Sequence, residues 1–523
     1  MGGVHIENTN LVQIQDQLSI TYVLSRFCHI FHKDEYIALY NSLTMCITYC
    51  NQDILPYLLM FNDGSRVSDV LNCASDNDKN EVCRFLRDLI SSEYLVPNDY
   101  DELSKLVELK KAFSQPPTFN EIFLFPTDKC NFACSYCHVM NGMSNDYSQS
   151  DMDRTTARKI IDLFIQTNVN SKEQLNVVFY GGEPLLNFTI IEYAILYTVN
   201  ECKRLGLRNE LQFNLFTNLS LITKQMADFF HQYNVMVIGS IDGPKAIHDC
   251  MRHYRSGAPT FDDVLRGYHV AKEAGCSVGI SCTVGIHNID VLPEIVEYFA
   301  KDLDPITIGL NTQHLIRGSA NPAVVCLEEN NRKIIESFKV ARKYGLYEVK
   351  SINRTKVIAE KKARVRDCAC GNQFIVSPDG KIGLCQLLIS NRDFYFDPEC
   401  FTEPLCCSVF SDWYNRHPLN MPECYSCAAL LICGGGCKYE SLLRYGTIWK
   451  HDDRVCVQSK RFLEFLLWDL HDLICHGKKD QQERFSFYKP TDQDRLKLYG
   501  KIQVGTRSYP MENYHDKMHS CIT

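Results

Sequence analysis

Residues 130–137 read CNFACSYC, which sets Cys130, Cys134 and Cys137 in a CxxxCxxC pattern. Just upstream, residues 121–125 (EIFLF) are a run of β-formers, so the three thiols fall on the loop after a strand. Three thiolates on one loop can hold three irons of a cubane cluster, and soft sulfur suits that role. The fourth iron then has no protein ligand and is open to a small chelating molecule. A structural zinc site wants a fourth Cys or His close by. His138 is adjacent, but Cys137 already occupies that direction.

Downstream, the hydrophobic pattern alternates between two periods. Strand-like runs fall at 175–180, 212–216, 235–241, 277–284 and 306–310, and helix-like runs at 154–167, 189–205, 222–232, 261–274 and 291–301. Together with residues 121–125 this is a six-fold βα repeat. It predicts an α/β fold, a partial (β/α)6 TIM-like barrel with parallel strands and its chemistry at their carboxyl ends. Polar motifs fall at those ends. Gly181-Gly182-Glu183-Pro184 follows the second strand, where the Glu183 carboxylate can accept from a charged amine. Thr217 and Asn218 follow the third strand. Ser240, Asp242, His248, Asp249 and Arg252 follow the fourth, and Gln313 and His314 the sixth. Arg252 suits either a ligand carboxylate or an internal ion pair; His248 and Asp249 suit loop fixing.

The composition frames these motifs. The chain has 523 residues, enough for several domains. Lys and Arg total 55 against 63 Asp and Glu, for a net charge of −8, and no basic domain stands out. Nucleic acid is therefore not expected as the main partner. MGGVHIENTN has no basic-then-apolar signal pattern, and no apolar run reaches about 20 residues, so a cytoplasmic protein with no membrane partner is expected. The 26 cysteines then point to metal or catalysis rather than disulfides.

A second cysteine series occupies residues 367–457. Cys370 and Cys385 flank Gly380, and Cys424, Cys427, Cys433 and Cys437 precede Cys456. Gly380 and Gly434, Gly435 and Gly436 allow tight turns beside bulky groups. Cys400, Cys406 and Cys407 lie between the motifs and read as ordinary buried or surface thiols.

On the CxxxCxxC, GGEP and SIDGP motifs, residues 118–320 resemble the radical S-adenosylmethionine (SAM) superfamily. On the second series, residues 367–457 resemble the SPASM extension of its peptide-modifying members. The first resemblance implies that Cys130, Cys134 and Cys137 hold a [4Fe–4S] cluster whose open iron is chelated by the methionine part of SAM. Reductive cleavage would then give a 5′-deoxyadenosyl radical that takes a substrate hydrogen. It also implies that Tyr136 lies near the adenine, that Gly181, Gly182, Glu183 and Pro184 meet the methionine amine, and that Ser240, Asp242 and Arg252 line the SAM site. The second resemblance implies two auxiliary [4Fe–4S] clusters, three clusters in all. Cys370, Cys385 and Cys437 would bind one, and Cys424, Cys427, Cys433 and Cys456 the other. Anaerobic sulfatase-maturating enzymes carry a further ligand where this chain has Arg364. Cys368 is the nearby substitute, at an awkwardly close spacing. Without it, the first auxiliary cluster has an open iron on which a substrate thiolate would favour a thioether; a full four-cysteine shell counts against that. The same enzymes use an aspartate base after the position of Cys385. This chain has Gln386, which cannot take a proton.

The remaining segments complete the expected layout. Residues 1–113 read as a winged-helix-like unit: a hairpin over 36–49, short helices over 53–61, 67–73 and 79–90, and a helix over 101–113, with a boundary at 115–117 (QPP). This unit resembles the leader-recognition elements of radical SAM maturases, with leader peptide added as a strand to a sheet edge. The candidate DNA-reading helix has only Lys79, Arg84 and Arg87, offset by Glu81 and Asp88. Residues 321–366 read as a bridging helical region whose basic run, 356–366, is a solvated surface or linker. Residues 367–475 form the cysteine-rich SPASM domain, with a helix over 458–475, and 476–523 an unassigned tail. The expected function is a peptide maturase that installs a crosslink, a thioether on the open-iron argument, in a ribosomally made precursor with a leader. Its electrons would come from an external reductant such as flavodoxin or ferredoxin. The alternative is an anaerobic side-chain oxidase of sulfatase-maturating type.

Overall fold

The computed structural model describes residues 17–114, 117–143, 147–316, 327–389, 391–401 and 408–476. Cys406, Cys407 and the tail from residue 477 lie outside the described residues.

Four strands open the described chain: β1 (Thr21–Leu24), β2 (Cys28–Lys33), β3 (Tyr36–Asn41) and β4 (Ile47–Asn51). β2, β3 and β4 form an antiparallel sheet, with Ala38 opposite both Phe31 and Tyr49. The hairpin expected over 36–49 turns on Asn41, whose side chain accepts from the backbone of Leu43 at 2.9 Å and Thr44 at 3.1 Å. Then come α1 (Leu55–Leu59), β5 (Ser65–Arg66), α2 (Val67–Cys73), α3 (Lys79–Ser91), β6 (Leu95–Pro97) and α4 (Glu102–Ala112); β1 pairs with β5 and β6 in a second small sheet. β3 is apolar on both faces for a reason. Ile37 and Leu39 pack with Leu58, Val70 and Leu86, while Ala38 and Tyr40 belong to a cluster with Leu463 and Leu467 near the chain's far end. The N-terminal sheet is thus clamped to the C-terminal helix.

The βα repeat forms as its pattern requires. Strands β7 (Glu121–Leu124), β8 (Leu175–Phe179), β9 (Leu211–Thr217), β10 (Val235–Ser240), β11 (Val278–Val284) and β12 (Ile308–Thr312) pair in sequence order, all parallel. Between them run α5 (His138–Asn141), α6 (Arg154–Thr167), α7 (Phe188–Arg204), α8 (Lys224–Gln232), α9 (Lys245–Met251), α10 (Phe261–Glu273) and α11 (Leu292–Tyr298). In α6, Asp153 caps the first turn by accepting from Thr156 N, and Ala157, Ile160, Ile161, Phe164 and Ile165 form one buried stripe. At about 1.5–3 kcal/mol per large buried apolar side chain, such stripes hold the helices on the sheet.

Beyond β12 lie α12 (Leu327–Lys343), α13 (Val349–Glu360), β13 (Phe374–Val376), β14 (Ile382–Gly383), β15 (Tyr395–Phe396), α14 (Ser408–Asn415), α15 (Lys438–Tyr445) and α16 (Asp453–His476). β13 pairs in parallel with β7, and β14 and β15 continue antiparallel, so the cysteine-rich segment extends the sheet to nine strands. Cys370 and Cys385 accordingly sit in the same apolar cluster as the six-strand core.

The basic run 356–366 is not a solvated linker. Its first half is in α13, where Val357 and Ile358 are buried. Arg364 donates to the Ile432 carbonyl at 3.4 Å, and Arg366 donates to the Tyr414 and Phe113 carbonyls at 3.1 Å each. These guanidiniums are retained inside because each finds main-chain acceptors, while their stems pack. Among the described residues no helix is long and apolar enough to cross a membrane.

Candidate functional site

The loop after β7 is held by its neighbours. Ala133 N donates to the His253 carbonyl at 2.8 Å, and Ser135 N to that of Met251 at 2.9 Å, which ties Cys130, Cys134 and Cys137 to the segment after β10. Phe132 N and Met140 N point at the sulfurs of Cys130 and Cys137, at 3.4 Å each. Burial, the Glu183 carboxylate and the two sister thiols push the Cys130 thiol up to about 12. Three half-buried sulfurs this close together suit a cationic group, which deprotonates coordinating thiols outright. The donor set therefore fits an iron–sulfur cluster.

The GGEP turn lies directly on this loop. A Cβ on Gly181, which has φ 139°, would stand 2.3 Å from the Thr127 carbonyl oxygen, and one on Gly182 would stand 2.1 Å from that of Lys129. Gly182 N and Glu183 N donate to those two carbonyls at 3.2 and 2.8 Å. Pro184 opens the short turn that follows. Glu183 is fully buried, and its carboxylate accepts from Leu185 N at 3.1 Å, Thr217 Oγ1 at 2.7 Å and Asn218 N at 2.7 Å. Burial raises its pKa to about 7 against the pull of those donors. A carboxylate has about four acceptor positions, so three internal bonds leave room for one further donor.

Asp242 is the second hub. Fully buried, it accepts from Arg252 Nε at 2.9 Å and Nη2 at 3.2 Å, from Thr283 N at 2.9 Å, and from the Tyr136 hydroxyl. Burial opposes its charge, yet Arg252 and the neighbouring His287 ring hold its carboxyl below the usual range. The Arg252 guanidinium also lies 5.3 Å from the centre of the Tyr136 ring, and the His287 ring stacks on Tyr136 at 5.8 Å. Of the two pairings open to Arg252 in the sequence, the fold makes the internal one. Ser240 is half-buried at the end of β10. His248 packs beneath Asp242, and Asp249 accepts from Thr260 N and Phe261 N at 2.8 and 2.9 Å, fixing the start of α10.

Sequence reasoning named nothing at the end of β11. There the His287 side chain is buried with Nε2 3.8 Å from Asp242 Oδ2, and Asn288 donates to the carbonyls of Asp242 and Thr283 at 3.2 and 2.9 Å. The signal was present: a polar run follows Gly285 at a strand's carboxyl end, where such barrels place their chemistry.

A cavity of about 470 Å³ joins the ends of β11 and β12 to the cysteine-rich segment. Cys368, Cys370, Cys385 and Cys437 all line it, with Gln386 beside them. Arg364 lines the cavity too, and its guanidinium braces Asp367 and the carbonyls of Ile432 and Cys433. Gly434, Gly435 and Gly436 all have positive φ, between 69 and 83°, and a Cβ on Gly434 would strike Asp367 N at 2.4 Å. Cys424, Cys427, Cys433 and Cys456 form a separate set; burial first and the sister thiols next push Cys424 and Cys456 up to about 12. Among the described residues no three His, Cys, Asp or Glu side chains converge on a single ion.

Residues 124–304 match the family model described as the Radical SAM superfamily. The chain is 21% identical over 470 residues to the radical SAM cyclopropyl synthase TigE of Paramaledivibacter caminithermalis, a match covering 85% of this chain and 95% of that protein. It is 24% identical over 405 residues to the serine-type anaerobic sulfatase-maturating enzyme of Klebsiella aerogenes, covering 74% and 91%. The solved structure of native anSMEcpe with bound AdoMet and Cp18Cys peptide shares the fold with a TM-score of 0.57 at 18% identity, over 68% of this chain and 98% of that one. A radical SAM domain implies one [4Fe–4S] cluster and SAM. Residues 124–304 thus carry a Radical SAM superfamily domain, and the chain is similar over most of its length to maturases and synthases.

Proposed function

We propose that the chain is a radical SAM maturase that forms a new bond within a ribosomally made precursor peptide. The observation that carries this reading is the cavity that runs from the β11 and β12 strand ends to the wall of Cys368, Cys370, Cys385 and Cys437. Cys130, Cys134 and Cys137 would hold the SAM-binding cluster; Cys368, Cys370, Cys385 and Cys437 the first auxiliary cluster; and Cys424, Cys427, Cys433 and Cys456 the second. When bound, the first cluster and SAM supply a 5′-deoxyadenosyl radical able to take a hydrogen atom from a peptide carbon.

The chain's own residues set the stage. Glu183 keeps the turns after β8 and β9 fixed and retains one acceptor position for the amine of SAM. Asp242 and Arg252 lock Tyr136 in place for the adenine, and Ser240 lies at the same strand end. Gln386 cannot serve as a base, so the proton leaving the substrate goes elsewhere than in the sulfatase-maturating scheme. The thioether expected from an open auxiliary iron loses its support once Cys368 supplies a fourth thiol. The bond is accordingly read as one between peptide carbons, in keeping with the cyclopropyl synthase relative.

The remaining assignments follow the sequence reading. Residues 1–113 form a winged-helix-like unit that docks the leader, with β2 and β4 as the outer strands of its sheet available for strand addition. Residues 118–320 form the partial barrel, 321–366 a bridge, and 367–475 the auxiliary-cluster domain. A flavodoxin or ferredoxin in the cytoplasm supplies electrons. The second reading, a side-chain oxidase, draws on the sulfatase-maturating relatives and is opposed by Gln386.

Tandem mass spectrometry of a neighbouring-gene peptide co-expressed with the enzyme separates the two. A product short of hydrogen whose fragment ladder is interrupted between the joined residues supports the maturase. An uninterrupted ladder with one altered residue supports the oxidase. Reduced, reconstituted protein that releases no 5′-deoxyadenosine with its peptide sinks both.

A further inference from the structure

The same cavity has a charge pattern that its thiols do not account for. Lys350 and Arg354 are one turn apart on α13, so both side chains lie on one helix face, and both line the cavity. Arg354 is only 4% exposed. Its Nη2 donates to Gln458 Oε1 at 3.2 Å, while its Nε has no hydrogen-bond partner. Lys350 is exposed, and its ammonium has no hydrogen-bond or ion-pair partner among the described residues.

The acids of the wall are already paired. Asp367 pairs with Arg364 at 2.5 Å and its charge also reaches Arg354 and Lys350, while Asp452 pairs with Arg454 at 3.1 Å and Glu440, behind the wall, shares that guanidinium. Lys438 belongs to the thiol side, donating to the Cys370 carbonyl at 2.8 Å, and answers the charge of the sulfurs. Lys350 and Arg354 are anchored differently. The N-cap of α13, Glu348, accepts from Leu310 N at 3.3 Å, which fixes the start of this helix to β12. A buried guanidinium N–H without an acceptor is costly, and its natural complement is a carboxylate.

We propose that Lys350 and Arg354 form a carboxylate subsite that holds an acidic group of the substrate peptide between the β12 strand end and the Cys368–Cys437 wall. The proposal rests on the peptide-maturase reading and adds to it the substrate class. The carboxylate is either an Asp or Glu side chain or the peptide's own C-terminus.

The test uses reconstituted full-length enzyme with SAM and four pools of short synthetic peptides. One position is fixed as Glu or Gln, the others are randomised, and the C-terminus is free or amidated. Retention is read by affinity selection and mass spectrometry. Preference of about tenfold or more for Glu over Gln among amidated peptides assigns the side chain. Preference of that size for free over amidated ends in the Gln pools assigns the terminus. Equal retention of all four pools overturns the subsite while leaving the peptide reading intact; retention of none overturns both. Lys350→Met and Arg354→Gln should each abolish the preference with iron content and auxiliary-cluster EPR signals unchanged. Loss of those signals with the peptide preference intact would assign the two cations to the cluster and overturn the proposal.

Discussion

Arg252 and Asp242 form a buried ion pair ten residues apart, with Nε 2.9 Å from Oδ2 and Nη2 3.2 Å from Oδ1, and Tyr136 bonds Asp242 while its ring packs against Arg252 and His287. This couples the cysteine loop to the end of β10. Removing Arg252 leaves an uncompensated buried carboxylate, so Arg252→Met should cost about 3–5 kcal/mol of stability. Asp242→Asn, which keeps the shape, should cost less. Urea unfolding of both variants checks the order, and SAM titration should show weaker binding in each because Tyr136 is no longer held.

Gly182 tests how the GGEP turn supports the thiols. A methyl group there meets the Lys129 carbonyl carbon as well as its oxygen, at 2.5 and 2.1 Å, and this backbone leads straight into Cys130. Overpacking of this kind costs about 1–3 kcal/mol. Gly182→Ala should therefore lose the SAM-binding cluster selectively. Iron analysis and EPR should find the auxiliary signals intact.

Cys368 carries the question of the first auxiliary shell. It lines the same cavity as Cys370, Cys385 and Cys437, whereas Cys400 is an exposed thiol in a separate turn. Cys368→Ala should alter the EPR spectrum of one auxiliary cluster and lower its iron content, and Cys400→Ala should do neither. An unchanged spectrum in Cys368→Ala would restore the open-iron case for a thioether.

What the sequence revealed and what it hid divide along one physical line. The six strands and the helices between them were readable because burial against a sheet imposes local periods, as in the stripe from Ala157 to Ile165. The cysteines were readable because ligand spacing is local too. β13 was not, because a three-residue strand owes its place to a parallel partner, β7, some 250 residues earlier in the chain, and a run this short leaves no period. The basic run misled because the acceptors that bury Arg364 and Arg366 are carbonyls of residues 113, 414 and 432, which local sequence does not announce. The same holds for Arg252: its partner is a short loop away, but only the folded turn decides between Asp242 and a ligand.

His417 gives the acid limb of stability a specific source. It is fully buried with Nδ1 unpartnered, and burial first, then Arg366 and other nearby cations, lower its pKa from 6.5 to about 3. The unfolded state therefore binds a proton that the folded state refuses. The stability tied to neutral His417 is fully present above pH 6.5 and is lost as pH falls toward 3, by about 1.4 kcal/mol per unit. His417→Gln should flatten the stability profile over that interval. A profile with the wild-type slope would remove His417 as its source.

Arg416 lies within electrostatic reach of both thiol sets proposed to hold the auxiliary clusters. It is fully buried, and its guanidinium donates to the carbonyls of Ile448 at 2.7 Å, Gly436 at 3.2 Å and Lys450 at 2.6 Å, to that of Gly435, and to Ser441 Oγ at 3.2 Å. No carboxylate is among these partners, and the charges it feels are the sulfurs of Cys437, Cys368, Cys433 and Cys424. A buried cation with only neutral acceptors around it is a net charge, and net charge near a cluster helps set its reduction potential. Arg416→Met should shift the auxiliary midpoint potentials to more negative values in an EPR-monitored titration, because the reduced state loses its compensating charge. Arg416→Lys, which keeps the charge but not the five-bond fork, should hold the potentials closer to wild type while lowering thermal stability. If Lys and Met shift the potentials equally, the hydrogen bonds and not the charge are what the clusters sense.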